Sequence, residues 1–238
     1  MREECLICKG PLEYLSADRE MVCELCGKTV RSKTRCIHGH YVCDACHAKG
    51  LDRIVGLCLA HPSKDPVRIF SDLAALPFCH MHGPEHHVMV GAALLTAFRN
   101  VGGEVDLPAA LKEMLSRGQK VPGGVCGFWG ACGAGISTGT FLSVLTDTTP
   151  LSGRTWGLSN RMTARALDAI GSIGGPRCCK RDSYLAITEA VAFVKEHLGV
   201  EMELSEIQCS HYPKNAQCIK EKCPFYPLNS SEKQTETV

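Results

Sequence analysis

Eight residues within the first fifty have the types and spacing that close on metal ions. Cys5 and Cys8 form one two-residue thiolate knuckle and Cys23 and Cys26 a second, fourteen residues further on, a separation that lets four sulfurs share one tetrahedral ion. Cys36, His40, Cys43 and Cys46 add a third knuckle with a cysteine and a histidine, enough for a second ion. Zinc suits such closed sites, and a four-thiolate set also suits iron. The spacing leaves two matters open. The sites can fill in sequence or interleave, and His38 or His47 can stand in for His40, which we favour.

Beyond residue 75 four more clusters carry chemistry. Cys79, His80, His82, Glu85, His86 and His87 crowd the entry to one helix. Neutral imidazole ligates metals and exchanges protons near pH 7, so we read His82, Glu85 and His86 as proton-transfer or ligand groups. In Cys126-Gly-Phe-Trp-Gly-Ala-Cys132, six residues of regular helix would turn the sulfurs about 120° apart. Cys126 is therefore expected in a glycine loop and Cys132 in a first helical turn, beside backbone N–H groups that favour negative charge.

The third cluster places Cys178 and Cys179 among Arg177, Lys180 and Arg181. Adjacent cysteines point in different directions, so at most one binds a given metal. Neighbouring cations lower a thiol pKa and hold anions. On this reading Cys178 and Lys180 are reactive groups and Arg177 and Arg181 bind substrate. The fourth cluster is Cys209, Cys218 and Cys223-Pro224. A Cys-Pro ending suits an iron–sulfur cluster, whereas a Cys3His set would make a zinc staple. Cys178, Cys179, His211 or a substrate can complete the set.

The chain resembles an uncharacterised family of cysteine-rich proteins found mainly in anaerobes. The resemblance covers most of the chain. It rests on Met81-His82-Gly83-Pro84-Glu85-His86-His87, on Cys126-Gly-Phe-Trp-Gly-Ala-Cys132-Gly-Ala, on Gly174-Gly175-Pro176-Arg177-Cys178-Cys179-Lys180-Arg181-Asp182 and on the closing Cys223-Pro-Phe-Tyr-Pro227. More remotely, Cys132-Gly-Ala is similar to small helical proteins described as redox-active. These resemblances imply a helical fold with sulfur- or metal-centred redox chemistry and supply no substrate. Some relatives are labelled methyltransferases, but this sequence has no glycine-rich strand–helix nucleotide loop.

The elements that must position these groups are mainly helical. Residues 1–49 have little apolar periodicity, and metal must replace a core there. From about Gly50 helices are expected over Leu51–Ala60, Pro66–Leu76, His86–Phe98, Leu107–Arg117, Ala131–Leu145, Ser159–Ile170 and Ser183–His197. Ala131, Gly135 and Gly139 lie four apart, a smooth stripe for close approach of a backbone or cofactor. The sequence thus predicts a mainly α protein: a zinc-ribbon or cross-braced module at 1–49, an all-helical domain at 50–227 and a disordered tail at 228–238.

Composition narrows the function. Sixteen cysteines with no signal-peptide-like start predict a reducing cytoplasm and metal ligation rather than disulfides. A net charge of +1 argues against nucleic acid. The uncharged run from Val121 to Thr146 is long enough for a bilayer, but its seven glycines and missing aromatic belt favour a buried helix. The leading expectation is two zinc ions and an iron–sulfur cluster held by Cys126, Cys132 and Cys179, with the cysteines at 209, 218 and 223 as further cofactor ligands. Redox or sulfur-transfer chemistry on a small-molecule or protein thiol follows. The alternative is a zinc-stapled adaptor or metallochaperone that docks a protein through its N-terminal module.

Overall fold

The computed structural model describes residues 5, 7–8, 10–24, 27–47 and 52–227, without the side chains of His47 and Asp52. Cys26, the His47 imidazole, the expected boundary near Gly50 and the 228–238 tail lie outside them. The N-terminal part is an antiparallel hairpin, β1 (Leu12–Val22) and β2 (Thr29–Cys36), followed by a single turn of helix, α1 (Asp44–His47). The hairpin register runs from Leu12 opposite Cys36 to Val22 opposite Thr29, with an irregularity between Tyr14 and Arg19. Its buried cluster is small and sulfur-rich: Met21, Cys23, Tyr41, Cys43 and Cys46.

The rest is helical. In chain order it comprises α2 (Asp52–Ala60), α3 (Pro66–Ala74), α4 (His86–Asn100), α5 (Leu107–Gly118), α6 (Cys126–Trp129), α7 (Gly133–Leu145), α8 (Arg154–Ile173) and α9 (Cys179–Leu198), then two short 3-10 turns. Local chemistry sets several ends. Asp65 Oδ1 accepts the Val67 N–H at 2.8 Å to cap α3, with Pro66 in its first turn. Asp106 caps α5 by accepting the Ala109 N–H at 3.2 Å.

Helix α4 is the axis of the domain. It is apolar on all sides and packs against α2, α3, α5, α7 and α9, as an enclosed helix must. Because its first residues enter the core with it, Glu85 and His86 are 0% and 1% exposed. The glycine stripe of α7 receives a helix rather than a cofactor. A Cβ at Gly139 would fall on Thr163 Oγ1 and within 2.7 Å of the Ser159 carbonyl oxygen of α8, and one at Gly135 would meet Leu167.

Two helices begin earlier than expected. α8 starts at Arg154 instead of Ser159, and α9 at Cys179 instead of Ser183. The second difference matters. The basic segment read as reactive and substrate-binding groups ahead of the helix is its first turn, and Lys180, Arg181 and Asp182 are all buried. Among the described residues no helix is long and apolar enough to cross a membrane.

Candidate functional site

In the N-terminal module two ligand groups interleave. Ligand atoms of Cys5, Cys8, Cys36 and His40 all lie within 4.8 Å of one another, and those of Cys23, Cys43 and Cys46 form a second such group. The chain alternates between them, which is the cross-braced arrangement. Hairpin pairing causes this, because it returns Cys36 to the Pro11 end, where the Ile37 N–H donates to the Pro11 carbonyl at 3.1 Å. Cys8 Sγ lies 3.5 Å from Cys36 Sγ. His40 Nδ1 is buried with no hydrogen-bond partner among the described residues, as a ligating nitrogen would be. His38 Nδ1 stands 3.4 Å from Cys8 Sγ, and this contact, then the Gly10 N–H, lowers the Cys8 thiol to about 6.

At the mouth of α4, Cys79, Glu85 and His86 also converge within 4.8 Å. Here a protein cation contacts two of the three. Lys180 Nζ lies 2.9 Å from each of Cys79 Sγ, the His80 carbonyl and His86 Nε2. His86 Nδ1 donates to the Gly83 carbonyl at 3.0 Å, so Nε2 accepts from the lysine and the ring is neutral. Burial first, then Lys180, holds its pKa well below the ordinary value. Glu85 Oε1 accepts the His80 N–H at 2.7 Å. Lys180, Glu85 and His86, read from sequence as reactive groups, are therefore all buried in the core, where the first turn of α9 meets the start of α4. His82 lies elsewhere, with Nδ1 facing the Cys179 N–H at 3.5 Å.

Cys178 and Cys179 diverge. Cys178 lines a cavity with Cys209, Cys218 and Cys223, walled by Met81, Tyr184 and Phe225. Each of these four sulfurs faces a backbone N–H: Arg181 at Cys178, His211 and Tyr212 at Cys209, Lys220 at Cys218 (3.4 Å) and Phe225 at Cys223. Asn215 Nδ2 adds a contact to Cys178 Sγ at 3.5 Å. Of the partners left open for the C-terminal cysteines, Cys178 lines this cavity and Cys179 does not. His211 lines the same cavity. The four sulfurs form no 4.8 Å group like those of the N-terminal module.

Cys179 lines a different cavity of about 30 Å³ with Cys126, Cys132, His86, His87, Arg177 and Asp182. The three thiols expected to act together do share this space, but among the described residues their sulfurs form no 4.8 Å group either. Cys126 begins the short helix α6 rather than lying in a loop, and Cys132 is the N-cap of α7. Their expected activation is corrected. Burial outweighs the N–H groups of Ala134 and Gly135 and raises the Cys132 thiol to about 12. Burial likewise pushes Cys178 up to about 11 and Cys179 well above its ordinary value, despite nearby arginines.

Asp182, to which the sequence reading gave no role, joins the two cavities. Its Oδ2 accepts the Cys178 N–H at 3.3 Å and the Cys132 S–H at 3.8 Å, and its Oδ1 accepts Arg181 Nε at 3.0 Å. Arg181 also donates to the Gly174 and Pro176 carbonyls. Its guanidinium therefore braces the turn before α9 and is not presented to solvent as a substrate-binding group. No sequence signal singled out Asp182, Asn215 or Tyr14.

The hairpin sits against this face. Arg177 Nη2 donates to Tyr14 Oη at 2.6 Å, Asp44 Oδ2 accepts the Gly123 N–H at 3.2 Å, and Lys33 Nζ lies 4.6 Å from the Phe128 ring centroid. Between hairpin and helices is a cleft of about 510 Å³. A model for a family of unknown function matches residues 54–226. No curated protein and no solved structure matches the chain.

Proposed function

Taking as premise that the chain belongs to DUF5714, a family of unknown function, we propose that it is a redox or sulfur-transfer protein with two zinc ions in its N-terminal module and one iron–sulfur cluster at its C-terminal cysteines. The observation that carries this reading is the cavity enclosed by Cys178, Cys209, Cys218 and Cys223, with an N–H aimed at every sulfur. Four cysteines that line one cavity without gathering around a single ion suit a polynuclear cluster such as [4Fe–4S], in which each sulfur binds a different iron. N–H···S bonds and an apolar wall tune such a centre. When bound, the cluster would supply one-electron chemistry.

The interleaved N-terminal groups suit zinc, which needs four N or S ligands and folds modules that lack a core. Cys26, by its spacing, would complete the second set. The pocket of Cys126, Cys132 and Cys179 is where a small-molecule or protein thiol would meet this chain's own sulfurs. Burial raises the Cys132 and Cys179 thiols, and Asp182 is the acceptor next to Cys132.

The test is anaerobic purification with iron, sulfide and zinc analysis and visible spectroscopy. The expected result is about four iron, four sulfide and two zinc per chain, with thiolate-to-iron absorbance that Cys218→Ala and Cys223→Ala abolish while zinc stays. Three zinc ions with no visible absorbance would replace the cluster with a zinc staple.

A further inference from the structure

The pocket that holds Cys126, Cys132 and Cys179 is closed. Its volume of about 30 Å³ has room for a water molecule or two and is too small for a thiol-bearing substrate. Part of its wall must therefore move before those sulfurs can meet a partner. One stretch of that wall, residues 122–125, is irregular chain between α5 and α6. Pro122, Gly124 and Val125 line the thiol pocket on one side and the larger cleft on the other. At its middle, Gly123 and Gly124, the latter at φ 76°, bring no side chains to anchor it.

The N-terminal module holds this stretch from outside. Asp44 Oδ2 accepts the Gly123 N–H at 3.2 Å, and Thr34 packs so closely that a Cβ on Gly124 would stand 2.7 Å from Thr34 Oγ1. Tyr14, opposite Thr34 in the hairpin, accepts from Arg177 Nη2 at 2.6 Å, and its ring lies 6.4 Å from that of Phe128 in α6. Arg177 is itself part of the thiol pocket's wall. Each of these module residues is tied to a ligand group. Asp44 sits between Cys43 and Cys46 of one, and the Tyr14–Thr34 pair lies two residues from Cys36 of the other. The module's buried cluster is small and largely cysteine, too little to hold this geometry without metal.

We propose that the N-terminal module is a metal-dependent clamp on the thiol pocket. Loaded with zinc, it holds the 122–125 wall shut over Cys126, Cys132 and Cys179; loss of metal releases that wall and exposes the three thiols to substrate. Local opening of a segment held by few contacts is the physical event involved. The inference rests on the zinc part of the function proposed above and on the placing of thiol chemistry in this pocket, and it is independent of iron.

The experiment is alkylation of the whole native chain with N-ethylmaleimide, with the rate at each cysteine read by peptide mass spectrometry and zinc measured alongside. Wild-type protein holding both ions is expected to react slowly at Cys126, Cys132 and Cys179. His40→Ala, which vacates one ligand group, should react about tenfold faster at all three. Tyr14→Ala combined with Asp44→Ala should do the same with both ions retained, since about tenfold is the scale of two lost hydrogen bonds to the wall. Cys58, fully buried in α2, stays unlabelled throughout and verifies that the helical domain is intact. Wild-type rates in the double variant, or acceleration only together with Cys58, overturn the proposal. A wild-type protein without zinc would instead overturn the zinc reading, while the double variant still decides whether Tyr14 and Asp44 hold the wall.

Discussion

Cys178 and Cys179 share a peptide bond and open onto different cavities, the first toward Cys209, Cys218 and Cys223 and the second toward Cys126 and Cys132. Replacing them one at a time should separate two functions. Cys178→Ser is expected to lose most of the bound iron and its visible absorbance, whereas Cys179→Ser keeps both and loses only reactivity of the inner pocket. Iron-to-protein ratios of the two variants decide it. The opposite pattern would move the cluster to the inner cavity.

His40 and His38 compete in sequence for one ligand position. The structure groups His40 with Cys5, Cys8 and Cys36 and leaves its buried Nδ1 without a hydrogen bond. His40→Ala should therefore lower zinc from two ions to one and unravel the hairpin, because a structural zinc contributes on the order of 10 kcal/mol to such modules. His38→Ala should retain both ions. Zinc titration with a chromogenic chelator reads the difference.

Gly139 tests the contact between α7 and α8. A methyl group there meets Thr163 Oγ1 and the Ser159 backbone carbonyl, and the carbonyl cannot rotate away. Gly139→Ala should destabilise the domain by about 1–3 kcal/mol despite the higher helix propensity of alanine. Gly157, with open space around its Cβ position, is the control, and Gly157→Ala should be neutral or stabilising in denaturant unfolding.

The pH dependence follows from two buried imidazoles. Burial leads in lowering the pKa of both His86 and His87 from 6.5; Lys180 adds to it at His86, while Glu85 and the carbonyls of Gly83 and Val121 oppose it. In the unfolded chain both rings take up protons as pH falls through 6.5, and in the folded chain they do not. Stability contributed by the neutral rings is thus complete above 6.5 and declines below it, by up to about 1.4 kcal/mol per pH unit for each ring. His87→Gln should flatten the unfolding free energy between about pH 6.5 and pH 5. An unchanged slope in that window would show that other groups control it.

Much of the fold was legible because its signals are local. Asp65-Pro66 marks the start of α3, Gly199 stops α9, and paired cysteines announce the N-terminal ligands whatever their partners. Pairing was not legible, since interleaving depends on the register of β1 with β2. The start of α9 was missed for a related reason. Lysine, arginine and aspartate in a row give no local sign of burial, and only tertiary contacts with Cys79, His86 and the Gly174 carbonyl make it possible. The same contacts decide which way Cys178 and Cys179 face, and that separates the two cavities.

The ammonium of Lys180 contacts Cys79 and His86, two of the three residues whose ligand atoms converge with Glu85 at the start of α4. It cannot be leached by a chelator, displaced by a competing metal or left vacant when metals are scarce, because it is covalently part of the chain. Of the places where sulfur and imidazole converge in this protein, one is therefore independent of metal supply, and the entrance to the central helix stays assembled whether or not the cell has loaded the rest.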